Sequence, residues 1–493
     1  MRWLRVTLVV LAGAVGLMAA VLASHWPFGQ KAVSASLANL GGGQVHIDRF
    51  RKTFFPSPGC VAEGVTIANG NDLHARPVVR ADTLLLKGSY IRLLRFSHSL
   101  DEVRAAGLHI WIPQAGQPQA KGSKSLQRTS IDRLIAEDAE IAFEPQDPHS
   151  DPFRLDIHRA ELTNLNAGSA IRFVTSLHVP APPGEVHVDG RFGPFLADTP
   201  FRTAVSGTYT FTNGDLAVLK GVQGTLSSSG RFQGTLAQIV VNGESAIPNF
   251  EVLSSLHRIP LNTEFRATVN GQTGDVRIEN ADAHLLRTLV RTEGQVTAPK
   301  PGEDKTIALE MAVHDGRIQD LLRLVNSGPP DLFGMVDFRF KVRLPPGNRR
   351  FLERLELSGD MGVGDAKFGN PETQQSLERI SRHAFDGEED PAAVVSHLRG
   401  HVSVINGVAT LRGLIFHTPG AWAEMNGTYQ LLTQRLDLRG TVHLDEKVSK
   451  TTTGIKSFLL KAIDPFFKKG RHRSVVPIRI TGAHGHTSVG LNL

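Results

Sequence analysis

The residue types that carry catalysis or bind metal ions are scattered along this chain. Its one cysteine, Cys60, rules out an internal disulfide and a cysteine-built zinc site. His484 and His486 stand two residues apart, but no third metal ligand accompanies them. Gly362-Val363-Gly364 lacks the third glycine of a dinucleotide-binding loop, and Glu388-Glu389-Asp390 lies in a predicted loop where water solvates its charges. We therefore predict no catalytic residue, no cofactor and no metal site.

A two-residue period of apolar side chains is the clearest pattern in the sequence. Successive side chains of a strand point to opposite faces, so such a segment has one apolar face and one polar face. In residues 336–344 the apolar side chains alternate with charged ones, and residues 436–444 repeat the pattern. We predict that the apolar positions bind a hydrophobic ligand. They are Val336, Phe338, Phe340, Val342, Leu344, Leu436, Leu438, Val442 and Leu444.

Turn signals accompany these strands. Asn-Gly dipeptides supply the positive-φ residues of tight hairpins. Six of them occur, beginning at residues 69, 213, 242, 270, 406 and 426. With the alternating segments they predict a mostly β protein built as an antiparallel meander. At 493 residues the chain also exceeds the usual size of a single hydrophobic core, about 250–300 residues, so several units or one extended body are expected.

Helical patterns are few. Apolar side chains at three-to-four-residue spacing predict short helices over residues 130–139, 318–325 and 371–385, and an amphipathic helix over 454–464. So few helices do not cover the apolar strand surface. Two architectures remain open. Either two sheets close on each other as a sandwich, or one elongated, curved antiparallel sheet has an apolar concave face that something else fills.

The first residues predict a membrane segment. Arg2 and Arg5 precede an apolar run over residues 6–23, close to the roughly 17–25 residues that span a bilayer. The basic flank places the N-terminus in the cytoplasm and the rest of the chain outside it. A cleaved signal peptide is the alternative. Trp26-Pro27-Phe28 suits the aromatic belt of a membrane interface. The net charge of +6 comes from dispersed residues, which does not favour nucleic acid as a partner.

Four segments resemble the AsmA-like family of bacterial envelope proteins. The N-terminal apolar run is followed by residues 76–112, which lead from Pro77 to the strand Leu108-His109-Ile110-Trp111-Ile112. Residues 265–296 carry the pattern Phe-x-Ala-x-Val-x-Gly-x-x-Gly-Asp before a strand and Gly294-Gln295-Val296. Residues 401–444 and 456–467 extend the similarity. The resemblance spans most of the chain through degenerate β patterns.

This resemblance implies a single-pass inner-membrane protein with a periplasmic β-groove, similar to the larger TamB- and YhdP-type proteins implicated in phospholipid movement towards the outer membrane. The predicted organisation is an anchor over residues 1–29, an N-terminal β region over 30–120, a central groove over 121–300 and a C-terminal groove over 301–493. Expected partners are a phospholipid or another envelope lipid, the inner membrane and other envelope proteins.

Three functions remain open from the sequence. The first is a non-enzymatic protein whose apolar groove shields lipid acyl chains and supports outer-membrane lipid homeostasis. The second is an assembly factor that recruits outer-membrane proteins by adding a client strand to an exposed sheet edge. The third, an envelope hydrolase, has no sequence motif in its favour.

Overall fold

The protein is described by a computed structural model, 70% of it in strands. The structure describes residues 27–41, 44–68, 77–95, 99–112, 130–143, 153–166, 168–180, 182–194, 196, 199–299, 303–369, 374, 397–418, 421–444, 475–483 and 486–491. The chain divides into two compact units. The first holds the described residues up to 211 with 231–239 and 303, and the second holds 212–230, 240–299 and those from 304 onward. In each unit the strands form an open, curved sheet.

The first unit consists of eight paired strands and two short helices. Its elements are α1 (Gln30–Gly41), β1 (Val45–Thr53), β2 (Gly59–Ile67), β3 (Val79–Lys87), α2 (Tyr90–Leu94), β4 (Ser99–Ile112), β5 (Ser130–Phe143), β6 (Phe153–Leu165), β7 (Ile171–Pro180) and β8 (Pro183–Phe192). Neighbours in this series pair antiparallel, except that β5 pairs parallel with β4, where the predicted antiparallel pairing is wrong. Residues 113–129 lie between these two strands and exceed the roughly twelve residues that a parallel crossover needs. A 3₁₀ turn at Pro200–Arg202 follows.

Three strands contribute residues to both units, namely β9 (Ala204–Asp215), β11 (Thr225–Thr235) and β12 (Gln238–Val252). Between them lie a 3₁₀ turn at Leu216–Leu219 and the two-residue strand β10 (Val222–Gln223).

The second unit continues with twelve strands. They are β13 (Ile259–Val269), β14 (Val276–Leu285), β15 (Thr288–Thr297), β16 (Thr306–Arg317), β17 (Leu332–Leu344), β18 (Glu356–Phe368), β19 (His397–Ile405), β20 (Val408–Thr418), β21 (Ala421–Gln430), β22 (Arg435–Leu444), β23 (Val475–Ala483) and β24 (His486–Leu491). Helix α3 (Ile318–Leu322) precedes β17, and α4 (Phe351–Arg354) precedes β18. Each strand pairs antiparallel with the next, which confirms the predicted antiparallel meander.

Two of the five described Asn-Gly dipeptides form hairpin turns. Asn406 and Gly407, at φ 52° and 76°, join β19 to β20, and Asn270 begins the turn from β13 to β14. The pairs at 213, 242 and 426 lie within strands instead, and the pair at 69 lies outside the described residues. Inside β21 the side chain of Asn426 accepts the Gly413 N–H at 2.7 Å. Of the described Asn-Gly pairs, three therefore lie within strands and two at turns.

The helix predicted over residues 130–139 is wrong, because this segment is part of β5. Its neighbours β4 and β6 supply backbone hydrogen bonds on both sides. Leu134 shares a face with Leu162 of β6, whereas Ile135, fully buried, belongs to the opposite face. A strand with apolar residues on both faces loses its two-residue alternation, and the remaining spacing resembles that of a helix.

The other helix predictions have different outcomes. The helix predicted over 318–325 exists as the single turn α3. The helix at 454–464 lies outside the described residues, as does nearly all of the one at 371–385. The predicted membrane segment at 6–23 also lies outside them. Among the described residues, no helix combines the length and apolar composition that crossing a bilayer requires.

β-Bulges occur in several strands of the second unit, two of them in β16 and β20. Val313 and Gly316 of β16 lie opposite Phe338 and Val336 of β17, so one extra residue is inserted, and Asp315 there has φ 52°. In β20 the extra residue lies between Leu411 and Leu414, with Gly413 at φ 55°. A bulge increases the local twist and bends its strand. It also shifts the alternation by one, so residues three apart share a face.

Two glycines on neighbouring strands should differ in what an added methyl group costs. Gly413→Ala should lower the free energy of unfolding only through the strain of the positive φ, about 1–2 kcal/mol, because nothing lies within 4 Å of its Cβ position. Gly427→Ala would place a Cβ 2.0 Å from the Asp437 carbonyl oxygen, so the backbone must move. We expect Gly427→Ala to lower the melting temperature of the full chain more, measured by circular dichroism in detergent. An equal or larger loss in Gly413→Ala would contradict this packing.

Candidate apolar binding face

The pairing register places the residues predicted in β17 and β22 on one face of the second unit. Side chains at paired positions of neighbouring strands lie on the same face. Following the pairs from β16 to β23 gives transverse rows of side chains. The row through Phe340 contains Met311, Phe340, Gly359, Val402, Leu411, Gly427, Leu438 and Ile480. The row through Val342 contains Leu309, Val342, Leu357, Val404, Ala409, Tyr429, Leu436 and Gly482.

Two further rows complete what we call the apolar face. The row through Phe338 contains Val313, Phe338, Met361, Gly400, Leu414, Met425, Gly440 and Ile478. The row through Val336 contains Gly316, Val336, Val363, Leu398, Phe416, Ala423, Val442 and Val476. No charged residue occurs in these four rows. Two segments about a hundred residues apart in sequence thus belong to one continuous surface.

The predicted residues differ in burial. Val336, Leu344 and Leu438 are buried at 0%, 8% and 6% exposure. The remaining five with described side chains are half-buried, namely Phe338, Phe340, Val342, Leu436 and Val442. Leu444 pairs with Ala421, and its side chain lies outside the described part. Val336 therefore belongs to the packed core, while the two Phe rings remain partly accessible.

Helix α3 closes the apolar face along the Val336 row. Ile318, Leu321 and Leu322 pack into the cluster that contains Val336. The helix is held by Asp320, which is 3% exposed and accepts hydrogen bonds from the Thr288 hydroxyl at 3.1 Å and the Arg287 N–H at 3.1 Å. Because this carboxylate is hydrogen-bonded, its burial is tolerated.

The opposite edge is closed by α4 and the end of β12. Leu352 packs in a cluster with Val252, Val404 and Ala409, and Phe340 borders the same cluster. Both outer rows of the apolar face are therefore covered by protein. The Phe338 and Phe340 rows lie between these covers, and their two Phe rings stack with centroids 4.5 Å apart.

Glycines in the two middle rows lie close against their neighbours, with no room for a side chain. Gly359 lies opposite Phe340, and its Cβ position is 2.8 Å from Phe340 Cδ1. Gly400 lies opposite Met361, and Gly440 lies opposite Met425. A bulky side chain can pack directly over a glycine of the neighbouring strand, because the glycine has no side chain of its own. Each middle row thus consists of large apolar residues interrupted by two glycines.

The opposite face of the same strands is charged, and we call it the polar face. Arg343 contacts Glu356 at 3.0 Å, and Lys341 contacts Glu310 at 3.8 Å. Arg479 donates two hydrogen bonds to Asp437, each 2.9 Å long, and these hold the pKa of that carboxyl group below its ordinary value. These pairs are solvent-exposed, so each contributes little to stability. Their charged side chains favour contact of this face with water.

One hollow of about 630 Å³ in the second unit is lined by residues of β15 to β18. The side chains around it include Arg291, Ala312, Arg339 and Asp360, which occupy one transverse row. Val313, Phe338 and Met361 line it as well. We place the candidate site on the apolar face because its rows continue without a charged residue from β16 to β23.

His314, Asp315 and Asp337 form the one group with metal-ligand geometry in the described part of the chain. All three side chains are exposed. His314 Nδ1 lies 2.5 Å from Asp337, and its Nε2 lies 3.3 Å from Asp315. Asp337 also accepts the Asp315 N–H at 3.1 Å, which satisfies the backbone of the β16 bulge. Because both ring nitrogens already contact carboxylates, this group is explained as a brace for the bulge.

A Ser-His-Asp constellation that the sequence did not reveal lies on the polar face. His401 Nδ1 is 2.8 Å from Asp360, and His401 Nε2 is 3.1 Å from the Ser358 hydroxyl. This is the connectivity of a hydrolase triad, in which the carboxylate orients the imidazole and the imidazole accepts the serine proton. Asp360 and His401 are directly paired across β18 and β19, and Ser358 stands two residues from Asp360. Only the register brings the three together.

The surroundings of this constellation do not support acyl transfer. Asp360 is 89% exposed, so water competes for the carboxylate that should orient the imidazole. An oxyanion hole needs free N–H donors aimed beside the nucleophile. Strand β18 has paired neighbours on both sides at Ser358, which places its backbone in the ladders with β17 and β19. The three residues are a polar cross-strand network.

The first unit repeats the two-faced construction. One row of its sheet contains Cys60, Leu86, Val103, Leu134, Leu162, Phe173 and Gly190. Helix α1 covers the start of this row through Val33 and Leu37. Cys60 is fully buried, and burial raises the pKa of its thiol to about 11, so it does not act as a nucleophile. The polar face carries ion pairs such as the bidentate contact from Arg133 to Glu161.

Comparison with known proteins gives no relative from which a site could be transferred: no family model, curated protein or solved structure matches the chain.

The Ser-His-Asp constellation can be tested directly for nucleophilic reactivity. We expect a fluorophosphonate probe to label the full chain no more than it labels Ser358→Ala, because β18 is paired on both sides at Ser358 and its described neighbours offer no oxyanion hole. The readout is in-gel fluorescence of the purified protein, with a known serine hydrolase as positive control. Labelling that disappears in both Ser358→Ala and His401→Gln would show that the residues work as a triad.

Proposed function

We propose that the apolar face of the second unit lines a groove that shelters lipid acyl chains, in a membrane-anchored envelope protein that supports lipid transport. The observation that carries this proposal is the continuity of the two middle rows. They run across eight strands, β16 to β23, without a charged side chain and with Phe338 and Phe340 half-buried. No polar chemistry in these rows suits any other class of ligand.

The dimensions fit an acyl chain. Strands lie about 4.8 Å apart, so seven spacings between β16 and β23 give a row of roughly 34 Å. Half of a bilayer's hydrocarbon core, which one acyl chain fills, is about 15 Å. One row therefore has room for an acyl chain in extended form. Burial of each methylene stabilises the complex by about 0.8 kcal/mol, so ten buried methylenes correspond to micromolar affinity.

The covers on the outer rows support the same interpretation. Helix α3 on one side and α4 with β12 on the other close the edges. In the middle rows Phe338 and Phe340 are half-buried, whereas the following members are buried: Val313, Val402, Leu414, Leu438 and Ile478. An acyl chain lying along these rows would be shielded on both flanks, while its head group would stay in water. The bulges at Asp315 and Gly413 bend the strands that form the floor. Shielding of this kind is passive and needs neither cofactor nor catalytic residue.

Two consecutive residues of β17 provide the sharpest test. Phe340 lies on the apolar face, and the next residue, Lys341, lies on the polar face. We expect benzoylphenylalanine at position 340 of the full chain, irradiated in cells, to crosslink to phospholipid, and the same group at 341 not to do so. The readout is lipid mass on the purified protein. Protein adducts at 340 without lipid would favour the assembly-factor function, and equal lipid labelling at both positions would reject the groove.

A charged side chain placed on the apolar face should prevent lipid from binding in the groove. We expect Phe338→Asp to reduce lipid crosslinking at position 340 at least tenfold, because the carboxylate must be desolvated next to the acyl chain. Ala312→Asp adds the same charge on the neighbouring strand but on the polar face, and should leave crosslinking unchanged. Circular dichroism melting of both variants separates loss of binding from loss of fold. Unchanged crosslinking in a folded Phe338→Asp variant would contradict the proposal.

A further inference from the structure

The most exposed large apolar side chains of the first unit lie together at one end of its sheet. Phe55 is 91% exposed and Phe54 57%, both in the loop between β1 and β2, and Ile91 of α2 is 64% exposed. Single exposed apolar residues are common on soluble proteins and need no explanation. Three of them on adjoining segments form a patch, which we call the β1–β2 tip.

The tip is held in place by hydrogen bonds. The Tyr90 hydroxyl donates to the Phe54 carbonyl and so connects α2 to the loop. Gly88 N–H donates to the Pro58 carbonyl at 2.8 Å, which fixes the end of β3 against the start of β2. Arg92 of α2 contacts Asp132 at 2.6 Å and Asp101 at 3.1 Å. The Phe rings are therefore presented from an anchored loop.

Basic residues flank the tip. Arg51 and Lys52 precede it at the end of β1, and Arg95 follows α2. All three are exposed, and within the described residues none forms an ion pair. Acidic residues of β1 and β2 lie nearer the other end of the strands, at Asp48 and Glu63. Aromatic side chains bordered by uncompensated positive charge fit an anionic lipid surface, where the rings enter the interface and the cations contact phosphates.

The chain enters the first unit beside this tip. Phe28 is 2% exposed and packs with Cys60 of β2, and its ring lies 2.8 Å from the Cβ position of Gly88. The sequence predicts a membrane segment that ends at residue 23. Residues 24–27 span at most about 14 Å when extended. A chain that leaves a bilayer at residue 23 therefore brings the tip to that bilayer's surface.

We propose that Phe54, Phe55 and Ile91 insert into the interface of an anionic bilayer, with Arg51, Lys52 and Arg95 on its phosphates. This contact would set the sheet end of the first unit against the membrane from which the chain emerges. The proposal does not rest on lipid binding by the second unit, because the tip contacts the surface of a bilayer and the groove holds single acyl chains.

The test uses one fluorophore on the full chain in vesicles of phosphatidylglycerol and phosphatidylethanolamine. Phe55→Cys carries an NBD label. Cys60 does not compete for the reagent, because it is fully buried and its pKa is raised to about 11. Gln44→Cys is the matched control, exposed at the other end of β1 and about 30 Å away. We expect lipids with a nitroxide near the head group to quench the label at 55 at least twofold more than the label at 44.

Charge should matter as well. Replacing Arg51 and Lys52 by Ser, or exchanging phosphatidylglycerol for phosphatidylcholine, should reduce quenching at 55 at least twofold. Equal quenching at 55 and 44 would overturn the proposal. A label at 55 that is shielded in native envelopes yet unquenched in pure lipid vesicles would overturn it too, and would assign the tip to a protein partner. None of these results affects the crosslinking test at Phe340.

Discussion

The pairing register of the antiparallel ladder is the constraint on which the rest of this structure depends. Because the side-chain period of a strand is two, a slip of one residue exchanges its faces. In β17 such a slip would expose Phe338 and Phe340 to water and turn Arg339 towards α3. The apolar residues of the neighbouring strands would then lie beside charged residues of β17, since the rows continue through those strands. The segregation of apolar from charged residues therefore fixes the register, and the register in turn builds continuous rows from residues far apart in sequence.

Bulges allow this segregation to persist in a bent sheet. A strand that bends needs an irregularity, and an irregularity of one residue would normally reverse the faces beyond it. In β20 the sequence accommodates this, because Leu411 and Leu414 lie three apart and both face inward across the inserted Gly413. Polar side chains of the adjacent strand then satisfy the freed amides. The Asn426 side chain accepts the Gly413 N–H, and the Asp337 side chain accepts the Asp315 N–H. The Asn-Gly pair that suggests a turn in the sequence is thus a component of the sheet, and so are the two Asp residues of the His314 group.

This dual use explains what the sequence could predict and what it could not. The mostly β class, the meander and the common face of β17 and β22 follow from alternation, which is a local property. The spacing at 130–139 predicts a helix where the structure has a strand, since Leu134 and Ile135 are apolar on opposite faces of a strand that has partners on both sides. The network of Ser358, Asp360 and His401 depends on which residue of β19 lies opposite Asp360, and no local pattern encodes that. The covers over Val336 likewise depend on tertiary contacts of α3.

The ladder also decides which kind of function such a sheet can perform. The N–H and C=O groups of a central strand are hydrogen-bonded to its two neighbours. They are therefore not free to stabilise charge that develops during a reaction. Catalytic side chains can therefore meet on the polar face, as Ser358 and His401 do at 3.1 Å, without a site forming around them. The described strands do present a large apolar area. The same register that pairs their backbone groups also gathers this area on one face. The function that we propose takes its binding energy from that area, because a long, apolar ligand needs no hydrogen-bond partner.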